Sequence, residues 1–256
     1  MESIAYKGRI GKKREAFCAC YVDAKIQVLQ EIGKKLASAE LETGKKVTCE
    51  KGCIHCCSMY IEASIQECES IVYYLYHHDA ALACFLRSYP TWRAQLKANG
   101  DIFKGRNKYW QTQPTVEMAA SLWREFTEEE DRYFAQGIFC PFLSEGLCVI
   151  YEVRPYVCAS YAAVTPPEYC RCGSLEQPKV VKAIPHWVRS DRSFYHPDKL
   201  PERVLSTMPI LVYEVLKSGL TCFSKAGIKG LENLDAEWLA DPEVSAIYRK
   251  YLLGPR

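Results

Sequence analysis

Four cysteines fall within nine residues, Cys49-Glu-Lys-Gly-Cys53-Ile-His-Cys56-Cys57. Thiolates two or three residues apart on a turn can converge on one soft metal ion or cluster. Gly52 gives such a turn its backbone freedom. Lys45, Lys46 and Lys51 are expected to lower the thiol pKa values and offset thiolate charge, and His55 adds an imidazole within the run. A second group, Cys140, Cys148 and Cys158, is spaced too widely to close a site without the intervening chain turning back, and Pro141, Gly146 and Pro155 predict those turns. Together these thiols exceed the four that one zinc ion or one [4Fe–4S] cluster uses. The site is therefore polynuclear, or some cysteines support others that ligate, or there are two sites.

The chain has 14 cysteines in 256 residues. Disulfide scaffolds of that density are short and secreted, whereas clustered thiols in a reducing compartment point to metal. Cys18, Cys20, Cys68, Cys84 and Cys222 stand apart and are read as small buried hydrophobes. Cys170 and Cys172 either add ligands or form a local thiol pair, and spacing alone does not choose.

The order CxxCC, a helix carrying Glu67, then CPFLxxGxCxIYExRPxxC resembles the YkgJ-type cysteine-cluster family, the zinc- or iron-chelating CxxCxxCC domain. The resemblance spans roughly 49–158 and rests on Cys140, Pro141, Leu143, Cys148, Ile150, Tyr151, Arg154, Pro155 and Cys158. Two positions depart from the family pattern. Three residues rather than two separate Cys49 from Cys53, and Ala159 stands where the family tends to carry arginine. The resemblance implies a metal centre held by Cys49, Cys53, Cys56, Cys57, Cys140, Cys148 and Cys158. One similar branch, the flagellin lysine N-methylases, carries an iron–sulfur cluster, which brings methyl transfer and S-adenosylmethionine into view.

The spacing Cys49-x3-Cys53-x2-Cys56 also matches the radical S-adenosylmethionine signature. Enzymes of that type follow the motif with alternating strands and helices, whereas the chain after Cys57 reads as successive helices. The radical enzyme is therefore the lesser alternative.

Other residue types carry less. Arg154, between two cluster cysteines, can pair with Glu152, another carboxylate or sulfur-borne charge. Tyr151 and Tyr161 are expected to pack beside the sulfurs. His77, His78 and Asp79 fall where a helix ends and polar groups are ordinary. The acidic run 127–131 reads as a solvated helix face. His186, Trp187, Tyr195 and His196 form an aromatic-rich stretch that either lines a pocket or covers a cluster.

The elements that must position the sulfurs are mainly helical. Phe17, Tyr21, Ala24, Val28, Ile32 and Leu36 recur at helical spacing over 13–42, with Gly44 as terminator. Ser64 followed by Glu67 reads as a capping box opening a helix with Ile65, Cys68, Ile71, Val72 and Leu75 on its apolar face. Further helices are expected over 80–98 (broken or kinked at Pro90), 116–136, 202–218 (opened by Pro201) and 235–253. Between them, 137–201 lacks periodicity and needs something besides apolar layers to order it.

The expected architecture is a mainly α, single domain of packed helices with an irregular, metal-stapled loop-rich segment. It comprises an N-terminal helical segment (1–48), a cysteine-cluster core (49–200) and a C-terminal helical segment (201–256). Hydrophobic residues make up 48% and charged residues 25%, the profile of a core-forming chain. A net charge of +2 carries no field that would attract nucleic acid or an anionic membrane. The N-terminus has no apolar signal region, and no apolar run approaches the roughly 18 residues of a membrane span. A cytoplasmic location is expected, with a protein or small-molecule substrate as partner. The leading function is an iron–sulfur protein, [4Fe–4S] by its thiol set, with redox or methyl-transfer activity. The alternative is a zinc-stabilised binding module.

Overall fold

A computed structural model describes residues 12–103, 116–182 and 205–218. The chain is mainly α-helical, with short two-stranded sheets. Helix α1 spans Lys12–Thr43 and buries Cys18, Tyr21, Val22, Lys25, Val28, Leu29 and Ile32, a stripe at helical spacing. Gly44 ends it with φ +65°, its N–H donating to the Glu40 carbonyl (2.9 Å).

Helix α2 (Ile65–Tyr76) is the central element, packed by α1, by α3 (Asp79–Ala98) and by a later helix, α6 (Met208–Ser218). Cys68, Ile71, Val72 and Leu75 are fully buried on it. Glu67, near its start, reaches across the fold. Its Oε1 accepts the Tyr156 N–H at 2.8 Å, 89 residues away, and stands 3.7 Å from the Lys25 ammonium. A buried carboxylate needs such a donor and a cation to offset the cost of its burial.

Helix α3 runs unbroken through Pro90. Ala81, Leu82, Cys84 and Phe85 are buried before the proline, and Tyr89, Trp92 and Leu96 around and after it. That burial on both sides offsets the ~3 kcal/mol cost of an interior proline. Asn99 and Gly100 (φ +85°) close the helix.

Helix α4 (Val116–Ala135) leads into the cysteine-bearing region through Gly137, at φ +60°. There the chain forms the hairpin β2 (Leu143–Ser144) and β3 (Leu147–Cys148), a 3₁₀ turn at Tyr151–Val153, and the short helix α5 (Tyr156–Ser160). Strand β4 (Tyr161–Ala163) follows, then a 3₁₀ turn at Pro167–Cys170 and β5 (Val180–Lys182), which pairs antiparallel with β4. The hairpin loop, Glu145 (φ +52°) and Gly146 (φ +77°), has the positive φ values a two-residue type I′ connection requires.

The last described segment departs from expectation. A helix over 202–218 opened by Pro201 gives way to strand β6 (Leu205–Thr207), paired antiparallel with β1 (Glu62–Ser64), and the helix α6 begins only at Met208. Of Leu205-Ser-Thr only Thr207 is a strand-favouring type, so it is the pairing with β1 that makes the strand, continued where the Met208 N–H donates to the Ile61 carbonyl (2.9 Å). The expected helix over 235–253 lies outside the described residues.

One core joins these parts. Leu211, Val212, Val215 and Leu216 of α6 meet α2, while Phe142 stacks on Phe85 with ring centroids 4.3 Å apart and planes 7° from parallel. The cysteine-bearing segment is thereby anchored into the helical layer rather than laid over it. Among the described residues, no helix is long and apolar enough to cross a membrane.

Candidate metal centre

Residues 49–57 form two consecutive turns. The Cys53 N–H donates to the Glu50 carbonyl (3.1 Å) across Gly52, whose φ of +98° suits the third position of a type II turn. The chain then enters a 3₁₀ turn, His55–Ser58, that holds Cys56 and Cys57 side by side. Thr48 ties this run to β4 and the residues after it. Its N–H and hydroxyl donate to the Ala163 carbonyl at 2.8 and 3.1 Å, and the hydroxyl also reaches the Thr165 carbonyl at 2.6 Å. The Ala163 N–H in turn donates to the Cys49 sulfur at 3.1 Å.

The second group is joined to the first through backbone. The Cys140 N–H donates to the Cys57 carbonyl (2.9 Å). The β2–β3 hairpin then carries Cys148 back opposite Leu143, whose own N–H donates to the Cys140 carbonyl (3.1 Å). Cys158 lies on α5, and Glu67 caps the start of that helix at Tyr156.

Cys56 is the hub of the arrangement. After burial itself, charge on Cys56 is among the causes that push up the thiols of Cys49, Cys53, Cys140, Cys148, Cys158 and Cys170. Cys56 is itself raised, first because its sulfur is hydrogen-bonded to Cys57, then by burial. The lysines expected to lower these thiols do not prevail over that burial; Lys51 stands instead over the Tyr151 ring, 5.4 Å from its centroid. Downward pulls come from backbone. The N–H groups of His55, Phe142 and Ile150, each two residues beyond a cysteine, act on Cys53, Cys140 and Cys148, and Ala163 acts on Cys49. A donor aimed at sulfur favours the thiolate.

Arg154 supplies the cation. Its guanidinium stacks 3.8 Å over the Tyr151 ring, Nη1 donates to the Tyr151 carbonyl (2.6 Å), and its charge draws down both Cys148 and Cys158. Tyr161 lies beside the sulfurs, its phenol raised by burial and then by Cys170, Cys56 and Cys49.

The remaining cysteines separate. Cys170 is buried and joins the group around Cys56, which sequence spacing left undecided. Cys172, two residues on, directs its sulfur to the Ala135 carbonyl (3.4 Å) at the end of α4. Cys18, Cys68 and Cys84 are buried in the helical layer. The side chain of Cys20 and all of Cys222, His186, Trp187, Tyr195 and His196 lie outside the described residues. His78 stacks on Tyr74 (3.7 Å) and His77 lies tilted against Tyr73 (4.3 Å), with Nδ1 of each against the carbonyl of the same tyrosine.

Among the described side chains, no cysteine forms a disulfide. Among the described residues, no three His, Cys, Asp or Glu side chains already stand at the spacing of a metal coordination sphere. The sulfurs are thus neighbours around Cys56 rather than a closed shell. The donor set itself fits a thiophilic metal: soft sulfurs, N–H groups aimed at them, a guanidinium to offset their charge and an apolar surround. No family model, curated protein or solved structure matches the chain.

Proposed function

We propose that this protein holds a cysteine-ligated metal cluster, iron–sulfur in character, at the junction of 49–57 and 140–158. One observation carries the proposal: two cysteine groups about ninety residues apart in sequence fold onto a single thiol, Cys56. The resemblance of 140–158 to the YkgJ-type family points the same way. Buried free thiols could serve as mere packing, but packing does not call for backbone donors and a guanidinium directed at the sulfurs.

Cys49, Cys53, Cys56, Cys57, Cys140, Cys148 and Cys158 would hold the metal, and a bound iron–sulfur cluster supplies one-electron chemistry. The chain's own residues have separate tasks. Arg154 offsets thiolate charge, while Tyr151, Tyr161 and Tyr133 restrict water. Glu67 fixes the start of the helix carrying Cys158. The surplus of sulfurs over four favours an iron–sulfur centre over a zinc-stabilised binding module.

The test is anaerobic purification followed by visible absorbance and metal analysis. Broad visible absorbance with iron and acid-labile sulfide is expected. Colourless protein with bound zinc would support the binding module instead, and protein that takes up neither metal would overturn both.

A further inference from the structure

Beside Cys140 lies a small cavity walled by Tyr60, Trp92, Phe103, Tyr133 and Thr207. It leaves about 10 Å³ for the centre of a water molecule, which is room for one. Trp92, Phe103, Tyr133 and Thr207 are each no more than 3% exposed. Protein interiors carry few voids of even this size, so the groups that hold it open matter. Phe103 has a left-handed backbone, φ +69°, which a bulky residue adopts only under constraint. Its N–H donates to Glu129 Oε1 (3.0 Å), and its ring packs against Tyr60 and Tyr133, with centroids 4.8 and 5.1 Å away. That wall is fixed through both backbone and ring.

Two hydroxyls at this cavity have hydrogen-bonding capacity to spare. Tyr133 Oη accepts the Trp92 Nε1–H at 3.2 Å, which leaves its own proton to donate. No acceptor for that proton stands among the described residues. Thr207 Oγ1 is buried and has no hydrogen-bond partner among the described residues. A buried hydroxyl left unpaired costs stability, and two at one cavity call for a shared partner.

We propose that Tyr133 and Thr207 hold one neutral hydrogen-bonding molecule, water, in a dedicated site beside Cys140. The Tyr133 O–H donates to it and the Thr207 hydroxyl pairs with it, which is the least an ordered interior water requires. An ion would be stranded among aromatic walls, and a larger molecule exceeds the space. The rings exclude bulk solvent while the two hydroxyls retain a single molecule of it. Tyr133 thus both shields the Cys140 wall and hydrates one point of it. The site stands on the cavity and its hydroxyls alone and holds whether or not a metal is bound.

The experiment pairs a crystal structure of the full wild-type chain, at a resolution that shows ordered water, with urea denaturation of variants. The crystal is expected to show one water within hydrogen-bond distance of both Tyr133 Oη and Thr207 Oγ1. An empty cavity, a larger occupant, or a water that meets only one hydroxyl would overturn the site. Thr207→Val keeps the side-chain shape and removes the hydroxyl. Exchanging a hydroxyl that truly lacks a partner is neutral or stabilising, whereas losing one that holds water should raise the unfolding constant roughly fivefold. Tyr133→Phe also breaks the Trp92 bond, so it serves as a background rather than a measure. In that background Thr207→Val should cost much less, because the other anchor of the water is already gone. A Thr207→Val protein as stable as wild type, or an equal loss in both backgrounds, would overturn the shared water. The wild-type crystal structure decides the matter should a variant fail to fold.

Discussion

The Lys25 ammonium and the Glu67 carboxylate stand 3.7 Å apart with both side chains buried, linking α1 to α2, and the same Glu67 oxygen holds the Tyr156 N–H two residues before Cys158. Burial lowers the Lys25 pKa, with Glu67 opposing that shift most strongly. Removing only the anion leaves a buried cation and an orphaned N–H. Glu67→Ala should therefore cost about 3–5 kcal/mol. The double variant Lys25→Met/Glu67→Gln keeps an acceptor for Tyr156 and removes both charges, so it should recover most of that loss. Urea denaturation of both variants measures the difference; equal losses would show that the pair is not the source.

Phe142 lies in the segment between Cys140 and Cys148 and stacks on Phe85 of α3. Both rings are fully buried. Phe142→Ala should cost about 3–5 kcal/mol as a cavity opens at the base of the hairpin. Metal uptake should fall with it, because the hairpin register places Cys148. Conservative Phe142→Leu should retain metal at a smaller stability loss. Thermal unfolding and metal analysis of the two variants check the claim, which fails if Phe142→Ala is as stable as wild type.

Stability of the metal-free chain should fall as pH rises above about 9. Burial raises the thiols of Cys140, Cys158 and Cys170, the last from 9.0 to about 11. A group whose pKa is higher in the folded state binds protons more tightly there, so its stabilisation is complete below the unfolded pKa. It is then lost as pH rises through the folded value. Metal binding has the opposite dependence, since ligation must displace those protons and tightens with pH. Denaturation midpoints at pH 7, 9 and 10, with and without metal, separate the two. A metal-free midpoint that rises over this window would contradict the assignment.

Arg154 combines a stack on Tyr151, a hydrogen bond to the Tyr151 carbonyl and the charge acting on Cys148 and Cys158. Arg154→Ala should lose about 1–3 kcal/mol of stability and bind metal more weakly. Arg154→Lys should restore part of the metal affinity through its charge, but not the planar stack and directed bond. Competition with a chromophoric chelator ranks the three proteins, and identical affinities would remove Arg154 from the site.

The helical layer was legible in the chain because local rules govern it. Tyr21, Val28, Ile32 and the α2 residues Cys68, Ile71, Val72 and Leu75 recur at a spacing that needs one buried face, and they are buried. Local propensity at Pro90 cannot weigh the buried groups on either side of it, with which α3 continues as one helix. Gly146 and the cysteine spacings likewise announced a turn and a candidate centre. What local rules could not carry was long-range pairing. Glu67 Oε1 meets Tyr156 and Lys25 from elsewhere in the fold, and Leu205–Thr207 becomes a strand only because Glu62–Ser64 offers it an edge. Cys170 and Cys172 are chemically identical and two residues apart; packing of one 3₁₀ turn on another brings the first to Cys56 and leaves the second on Ala135. Thiol type and spacing were written in the chain, but which sulfurs share a neighbourhood depends on hydrogen bonds closed across more than a hundred residues, such as Thr48 to Thr165.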